Sequence, residues 1–460
     1  MDWITKDGKI IFLNRAIRSF GYGFLSILLG IYLKELGFQP LLIGLLLSAA
    51  IIGGAIFTLI TGRYAVKYGI KKMLLFPLLL SLVGVSVFLL TENFIFLFLA
   101  SLIGFISPSG RELGPFLSLE QAYIPSTVTD KNRTKAFSFW NIIATLSASV
   151  GALLGSLPLF LQGFGIEKVF SFKVMFFFYL ILNVIALLFY TKIAEIKFTK
   201  EKIKLTKRTR SIITKLSFLF GIDSFAGGLV ITSIVSLWFY SKFNIPLTII
   251  SSIFFVTGLL EAFSFYISGK LAQRIGLINT MVFTHIPSSI FLILIPFMPS
   301  FYLAAAFYLL RQLLSEMDIP VRQSYIVAIV KPEERSIATS TTNVTRIIAS
   351  SIGPTIASRL LLTAFSSFVL SGILKIIYDL SLYFNFRHLK PPEEKKISPA
   401  LRHTPPLLTS LRCSGTLHFR ASPSPRLTAD KRLTPCSRSP KLPSATSFIR
   451  KTLYAINFKN

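Results

Sequence analysis

Blocks of about twenty apolar residues recur along this chain, separated by short charged or Gly- and Pro-containing breaks. In hydrocarbon every backbone N–H and C=O needs an internal partner, so such blocks are expected to be membrane-crossing helices rather than loops or open sheets. The chain is 52% hydrophobic and 15% charged, with 44 phenylalanines, which leaves too little polar surface to wrap a water-soluble body of 460 residues. Twelve spans are expected, at 12–33, 41–62, 73–91, 94–117, 136–160, 170–191, 213–240, 247–268, 277–297, 301–322, 336–360 and 364–386. The first block is too long, and too soon followed by others, to be a cleaved signal peptide. The expected fold class is an all-α polytopic membrane protein with twelve transmembrane helices.

Lysine and arginine set the expected orientation. Loops after the even-numbered spans carry 20 Lys and Arg, among them Arg63, Lys67, Lys71, Lys72, Arg133, Lys270, Arg274, Lys331 and Arg335. The opposite loops carry Lys34, Lys168, Lys173 and Lys242. Both termini are therefore expected in the cytoplasm and the protein in the cell membrane. The formal net charge of +29 does not point to nucleic acid. Residues 401–460 hold eleven Lys and Arg against one Asp, and much of the remaining excess lies in loops. From about Lys395 the composition turns to Pro, Ser, Arg and Thr without a usable period, and Cys413 and Cys436 both fall there. Disulfides are thus not expected to staple the membrane body. Segment 391–460 reads as a disordered basic tail near anionic lipid headgroups or, in preference, as an extension under no selection.

The stretch YIVAIVKPEERSIATSTTNVTR at 325–346 keeps the beat of YIPSTVTDKNRTKAFSFWNII at 123–143. Gln121, Tyr123, Val128, Arg133, Ala136, Asn141 and Gly151 fall 202 positions before Gln323, Tyr325, Val330, Arg335, Ala338, Asn343 and Gly353. Six spans is an even number, so each copy enters and leaves on one side, as parallel repeats do. Two six-helix bundles are expected, at 1–191 and 213–390, joined by a cytoplasmic linker at 192–212. Such bundles can enclose a site and rock about it, with the matching turns as equivalent hinges.

GRYAVKYGIKK, from Gly62 to Lys72, resembles the short cytoplasmic signature between spans 2 and 3 of the major facilitator superfamily. GKLAQRIG, from Gly269 to Gly276, resembles a degenerate second copy. The resemblance covers about residues 10–390. Gly62 and Gly269 are expected to permit close helix approach and Gly69 and Gly276 a tight turn, with Lys67 and Arg274 in cytoplasmic water. The signature's Asp is replaced by Val66 and by Gln273. The usual ion pair between halves is then missing or built from other residues, and Glu120 with Arg322, opposite charges at equivalent repeat positions, is the candidate. The strings RELGPFLSLEQA and SEMDIPVRQSY resemble those of little-characterised prokaryotic members, archaeal ones included. The Gly-Pro signature of the drug-exporting branch is absent from span 5, and Gly353-Pro354 lies in span 11 instead. That weakens the case for proton-driven drug export.

Charges at membrane depth are costly unless paired, and mark transport or ion pathways by default. Arg111 and Glu112 sit mid-span in SPSGRELGP, whose Pro and Gly residues loosen the helix. The resemblance makes Arg111 the match to a basic residue often tied to binding or coupling, and a purely structural ion pair is the other reading. Span 10 carries Arg311, Glu316, Asp318 and Arg322 around Pro320. Glu316 and Asp318 point to different faces, whereas Asp318 and Arg322 share one, so a local pair is expected there and Glu316 is the cavity acid. Asp223, before Gly227 and Gly228 in span 7, reads either as a carboxylate protonated during transport or as a cap. Glu261 in span 8 is a further acid, with Arg346 in span 11 as its candidate partner. In span 1 Arg15 is expected to snorkel, while Arg18, with Tyr22, either faces the cavity or is structural. His285 is expected to be a packing or cavity residue rather than a ligand.

No HExxH, Cys/His cluster or GxxxxGK[ST] pattern occurs, so no metal, cofactor, ATP hydrolysis or enzymatic activity is expected. The expected function is a secondary active transporter that moves a small organic solute by alternating access. By resemblance, spans 1, 4, 7 and 10 line its cavity. A coupling ion such as H+ is a further expected partner, and the protein is expected to be a monomer in the bilayer. Proton-coupled multidrug efflux and a non-transporting scaffold or sensor on the same fold are the alternatives.

Overall fold

The computed structural model describes residues 3–389 apart from 113, 130–132, 197–205, 332–333, 362 and 364–365. The expectation for 391–460 lies outside the described residues, as do the middle of the linker and the side chain of Arg133. The described residues are helical, with one isolated antiparallel bridge between Ile4 and Val128 and no strand.

Eight of the expected spans are single helices: α1 Lys6–Glu35, α2 Pro40–Tyr68, α3 Ile70–Leu90, α8 Lys168–Tyr190, α11 Leu247–Ile275, α12 Leu277–Leu294, α15 Arg335–Arg359 and α16 Ser367–Phe386. The other four are each built from two pieces. Span 4 is α4 Phe94–Ile103 with α5 Pro115–Tyr123, and span 5 is α6 Arg133–Leu153 with α7 Leu157–Gly163. Span 7 is α9 Lys207–Gly228 with α10 Thr232–Phe243, and span 10 is α13 Phe301–Ser315 with α14 Asp318–Ile329. Among the described residues, nine columns are long and apolar enough to cross a membrane. Spans 4 and 10 fall short because they are broken, and span 11 because α15 is rich in Ser, Thr and Arg. The break in span 4 is the longest, and Gly110 and Gly114 turn through it at φ +72° and +123°.

The two halves repeat in detail. Helices α2 and α11 each run 29 residues and end on Gly69 and Gly276, whose backbones agree to within a degree at φ 91°. Only glycine adopts that conformation without strain. Tyr123 and Tyr325 are both buried, and their hydroxyls lie 2.9 Å from the Ala194 carbonyl and 3.2 Å from the Leu389 carbonyl. Each therefore ties its loop to the chain just beyond the sixth helix of its own half. Gly151 lies against the backbone of Phe20, and Gly353 against that of Gly228, so span 5 meets span 1 as span 11 meets span 7. A valine at 353 would drive methyl groups into the Gly228 backbone, and Gly353→Val is expected to cost about 1–3 kcal/mol in thermal unfolding. Gly269→Ala should stay within about 0.5 kcal/mol of wild type.

That contrast corrects one expectation. A Cβ on Gly62 or Gly269 would meet nothing within 4 Å, so neither glycine mediates close helix approach. Both lie near the ends of α2 and α11 that face the basic loops, where those helices stand clear of their neighbours.

The halves join at the end away from the basic loops. There α2 packs on α15, α6 on α11 and α1 on α10. Ser48 and Thr355 hydroxyls lie 2.8 Å apart, Ser233 donates to the Ser26 carbonyl at 2.7 Å, and Tyr240 donates to Glu35 at 3.0 Å. The largest apolar cluster spans both halves on this side, through Ile27, Tyr32, Phe176, Val235 and Trp238. Toward the basic loops each half keeps its own cluster, one around Leu74, Phe116 and Trp140 and the other around Ile213, Met281 and Tyr378. The arrangement is sealed at one end and divided at the other.

At the divided end, Glu334 accepts from the Thr209 hydroxyl and the Thr206 amide at 2.5 Å each, tying α9 to α15. The Thr209 hydrogen bond, with that of the Thr206 amide, holds the Glu334 carboxyl below its ordinary range. A depressed carboxylate adds stability above its unfolded pKa and loses it as pH falls through the folded value. Thermal stability measured from about pH 5 down to about pH 3 should therefore fall less steeply in Glu334→Gln than in wild type.

Candidate functional site

The ionisable residues at membrane depth form three groups, and the helix breaks in spans 4 and 10 decide which residue joins which. In the first half, Arg18 on α1 is buried and holds Glu112 through Nε and Nη2, both at 2.9 Å. Its Nη2 also reaches Glu120 on α5 at 2.6 Å. Arg15 pairs with Glu112 and lies over the Trp140 ring at 4.1 Å, while Trp140 donates to Glu120 at 2.9 Å. Tyr190 on α8 bonds both Arg18 and Glu120. Two arginines and two glutamates thus balance in a buried site. Arg15 does not snorkel, because its charge is met inside the bundle.

The second half repeats this pairing with the charges exchanged. Gly23 lies against the Ala148 carbonyl as Gly228 lies against that of Ser350, so spans 1 and 7 correspond at 205 residues: Asp223 on α9 stands where Arg18 stands on α1, and Arg322 on α14 where Glu120 stands on α5. Arg322 holds Asp223 at 3.0 Å and Asp318 at 2.8 Å. Each of Glu120 and Arg322 is therefore satisfied within its own half, and the expected ion pair between them does not form. Lys375 on α16 donates to Asp223 at 2.7 Å and lies 3.4 Å from His285 Nε2. His285 Nδ1 is 3.0 Å from both oxygens of Asp379. Arg346 bonds Ser224 at 2.9 Å beside this group, and it is not the partner of Glu261.

The third group bridges the halves. Arg111, in the break of span 4, places Nη2 2.9 Å from Glu261 on α11 and 2.6 Å from Glu316 in the break of span 10. Among the described residues these are the salt bridges that join the halves. Gln312 donates to Glu261 at 2.8 Å, and Arg311 pairs with Gln312. The Arg111 side chain is 40% exposed, against 14% and 8% for its partners, so it stands at the edge of open space. Adjacent residues thus serve different groups: Arg111 faces the other half, whereas Glu112 turns back into its own.

Of the expected hinge residues, Lys67 and Arg274 are exposed on the last turns of α2 and α11, and Arg335 donates to the Val327 carbonyl at 3.0 Å. Sequence reasoning passed over Lys375 and Asp379. Two charges one helical turn apart inside the last apolar block were the available signal.

Two six-helix halves, sealed at one end and joined by the ion pairs of Arg111, define a polytopic membrane protein. The family model for the Major Facilitator Superfamily matches residues 11–310 and 216–429. The chain belongs to the Major Facilitator Superfamily, whose members are secondary transporters. It is 26% identical over 419 residues to an uncharacterized membrane protein of Saccharomyces cerevisiae, covering 82% of this chain and 93% of the relative. That relative is eukaryotic, so the expected prokaryotic or archaeal kinship finds no support. Among solved structures, the human organic anion transporter MFSD10 (TETRAN) is similar at TM-score 0.59 and 17% identity, over 82% of this chain and 98% of that one. The xylose transporter XylE from E. coli, in its inward open conformation, is similar at TM-score 0.64 and 13% identity, over 81% and 95%. At those identities the likeness is one of fold.

Proposed function

We propose that this transporter carries a small organic solute across the cell membrane by alternating access, with residues 1–191 and 213–390 as the two moving halves of a monomer. The observation that carries this reading is Arg111, an exposed cation in a helix break, held by Glu261 and Glu316 of the opposite half. A solute entering between the halves must displace those contacts, which links binding to the separation of the halves. The excess of basic residues at the divided end supports a cytoplasmic location for it, and with that an inward-open conformation. The buried groups around Arg18 and Asp223 act as rigid struts that let each half move as one body. Reconstituted vesicles test the reading: flux should be lost in Arg111→Gln while membrane level and folding persist. Unchanged flux in that variant would remove Arg111 from the site, and loss of partner capture with no flux in wild type would favour a scaffold.

A proton as coupling ion has its own support. Asp223, Asp318 and Asp379 face Arg322, Lys375 and Arg346, three charges of each sign, so His285, between Asp379 and Lys375, is the member of this group suited to gain or lose a proton. Acid-driven flux should then disappear in His285→Gln while downhill exchange continues.

A further inference from the structure

We infer that the site between the halves takes a compact zwitterion, one whose anionic group replaces the glutamates on Arg111 and whose cationic group replaces Arg111 on Glu261 and Glu316. This deepens the proposed function and rests on it. The site holds two cations, Arg111 and Arg311, and two anions, Glu261 and Glu316, so it is neutral as it stands. Separating Arg111 from both carboxylates, whose side chains are 14% and 8% exposed, leaves charge of each sign without a partner, which is unfavourable. A lone anion compensates only Arg111, and a lone cation only the glutamates. A neutral polyol carries no charge for either. A molecule with both charges restores both pairings and leaves the net charge at zero.

A second observation points the same way. Within this group Nε of Arg311 is buried with no hydrogen-bond partner. Buried polar atoms are rarely left so. The anionic group of a zwitterion supplies it with an acceptor. The span to be bridged is short, since the same guanidinium nitrogen touches both glutamates.

The test is thermal unfolding of the full-length protein in detergent against the twenty common amino acids and 4-aminobutyrate. Butyrate, butylamine and xylose serve as single-charge and neutral probes. Ligands that bind the folded state raise its melting temperature by mass action. At least one amino acid should give a dose-dependent rise, and the three control probes should give none. Arg111→Gln and Glu316→Gln should each weaken the apparent affinity about tenfold or more, Arg111→Lys should restore part of it, and Lys192→Gln should leave it unchanged. No rise with any amino acid overturns the inference. A rise with butyrate, butylamine or xylose that Arg111→Gln abolishes overturns the zwitterion but leaves the central site standing. A rise with an amino acid that none of the site variants alters overturns both.

Discussion

Glutamine in place of Arg111 is expected to cut solute flux about 30-fold or more, the equivalent of about 2 kcal/mol of lost differential binding. Its guanidinium makes the salt bridges between the halves among the described residues, and it meets Glu261 and Glu316 from a break where the chain is no longer helical. The loss should fall on transport and far less on stability. Arg111 is 40% exposed, and Arg311 remains in the same group to offset the charge of the two glutamates. Melting temperature and flux measured on the same preparation separate the two effects. A variant that unfolds would mean that Arg111 is a strut rather than a latch, and Glu316→Gln would then carry the test.

Glu112→Gln, one residue away, should behave in the opposite manner. Glu112 is buried and accepts from Arg15, Arg18 and Tyr22. Removing its charge leaves two arginines facing one remaining carboxylate in a buried site, and breaking a buried pair in this way costs about 3–5 kcal/mol. Denaturation in detergent should show the loss directly. Adding Arg15→Met to Glu112→Gln restores the balance between Arg18 and Glu120, and the double variant should recover part of the stability. A pair of independent losses would instead add.

The blocks of apolar residues and the 202-residue repeat were enough to read the spans and the two halves, because both follow from local composition and register. Asp318 with Arg322, and the separate facing of Glu316, were legible for the same reason, since helical periodicity fixes which neighbours share a face. What could not be read was which helix turns which face to which partner. Glu120 meets Arg18 instead of Arg322, and Glu261 meets Arg111 instead of Arg346, through the rotation of whole helices about their axes. Packing of many residues sets that rotation, and no short motif records it. The breaks in spans 4 and 10 were signalled by Gly and Pro, but their consequence was not: they send adjacent residues such as Arg111 and Glu112 in opposite directions.

The most direct measurement is a disulfide staple across the sealed end. Ser48 on α2 and Thr355 on α15 belong to different halves, and their hydroxyls are 2.8 Å apart, close enough for Ser48→Cys and Thr355→Cys to bond with little backbone movement. In a Cys413→Ser, Cys436→Ser background, vesicle flux of the compound that most stabilises the wild-type protein should stop on oxidation and return on reduction, because the halves must part at this end in every cycle. Undiminished flux through the stapled protein would contradict alternating access between these halves.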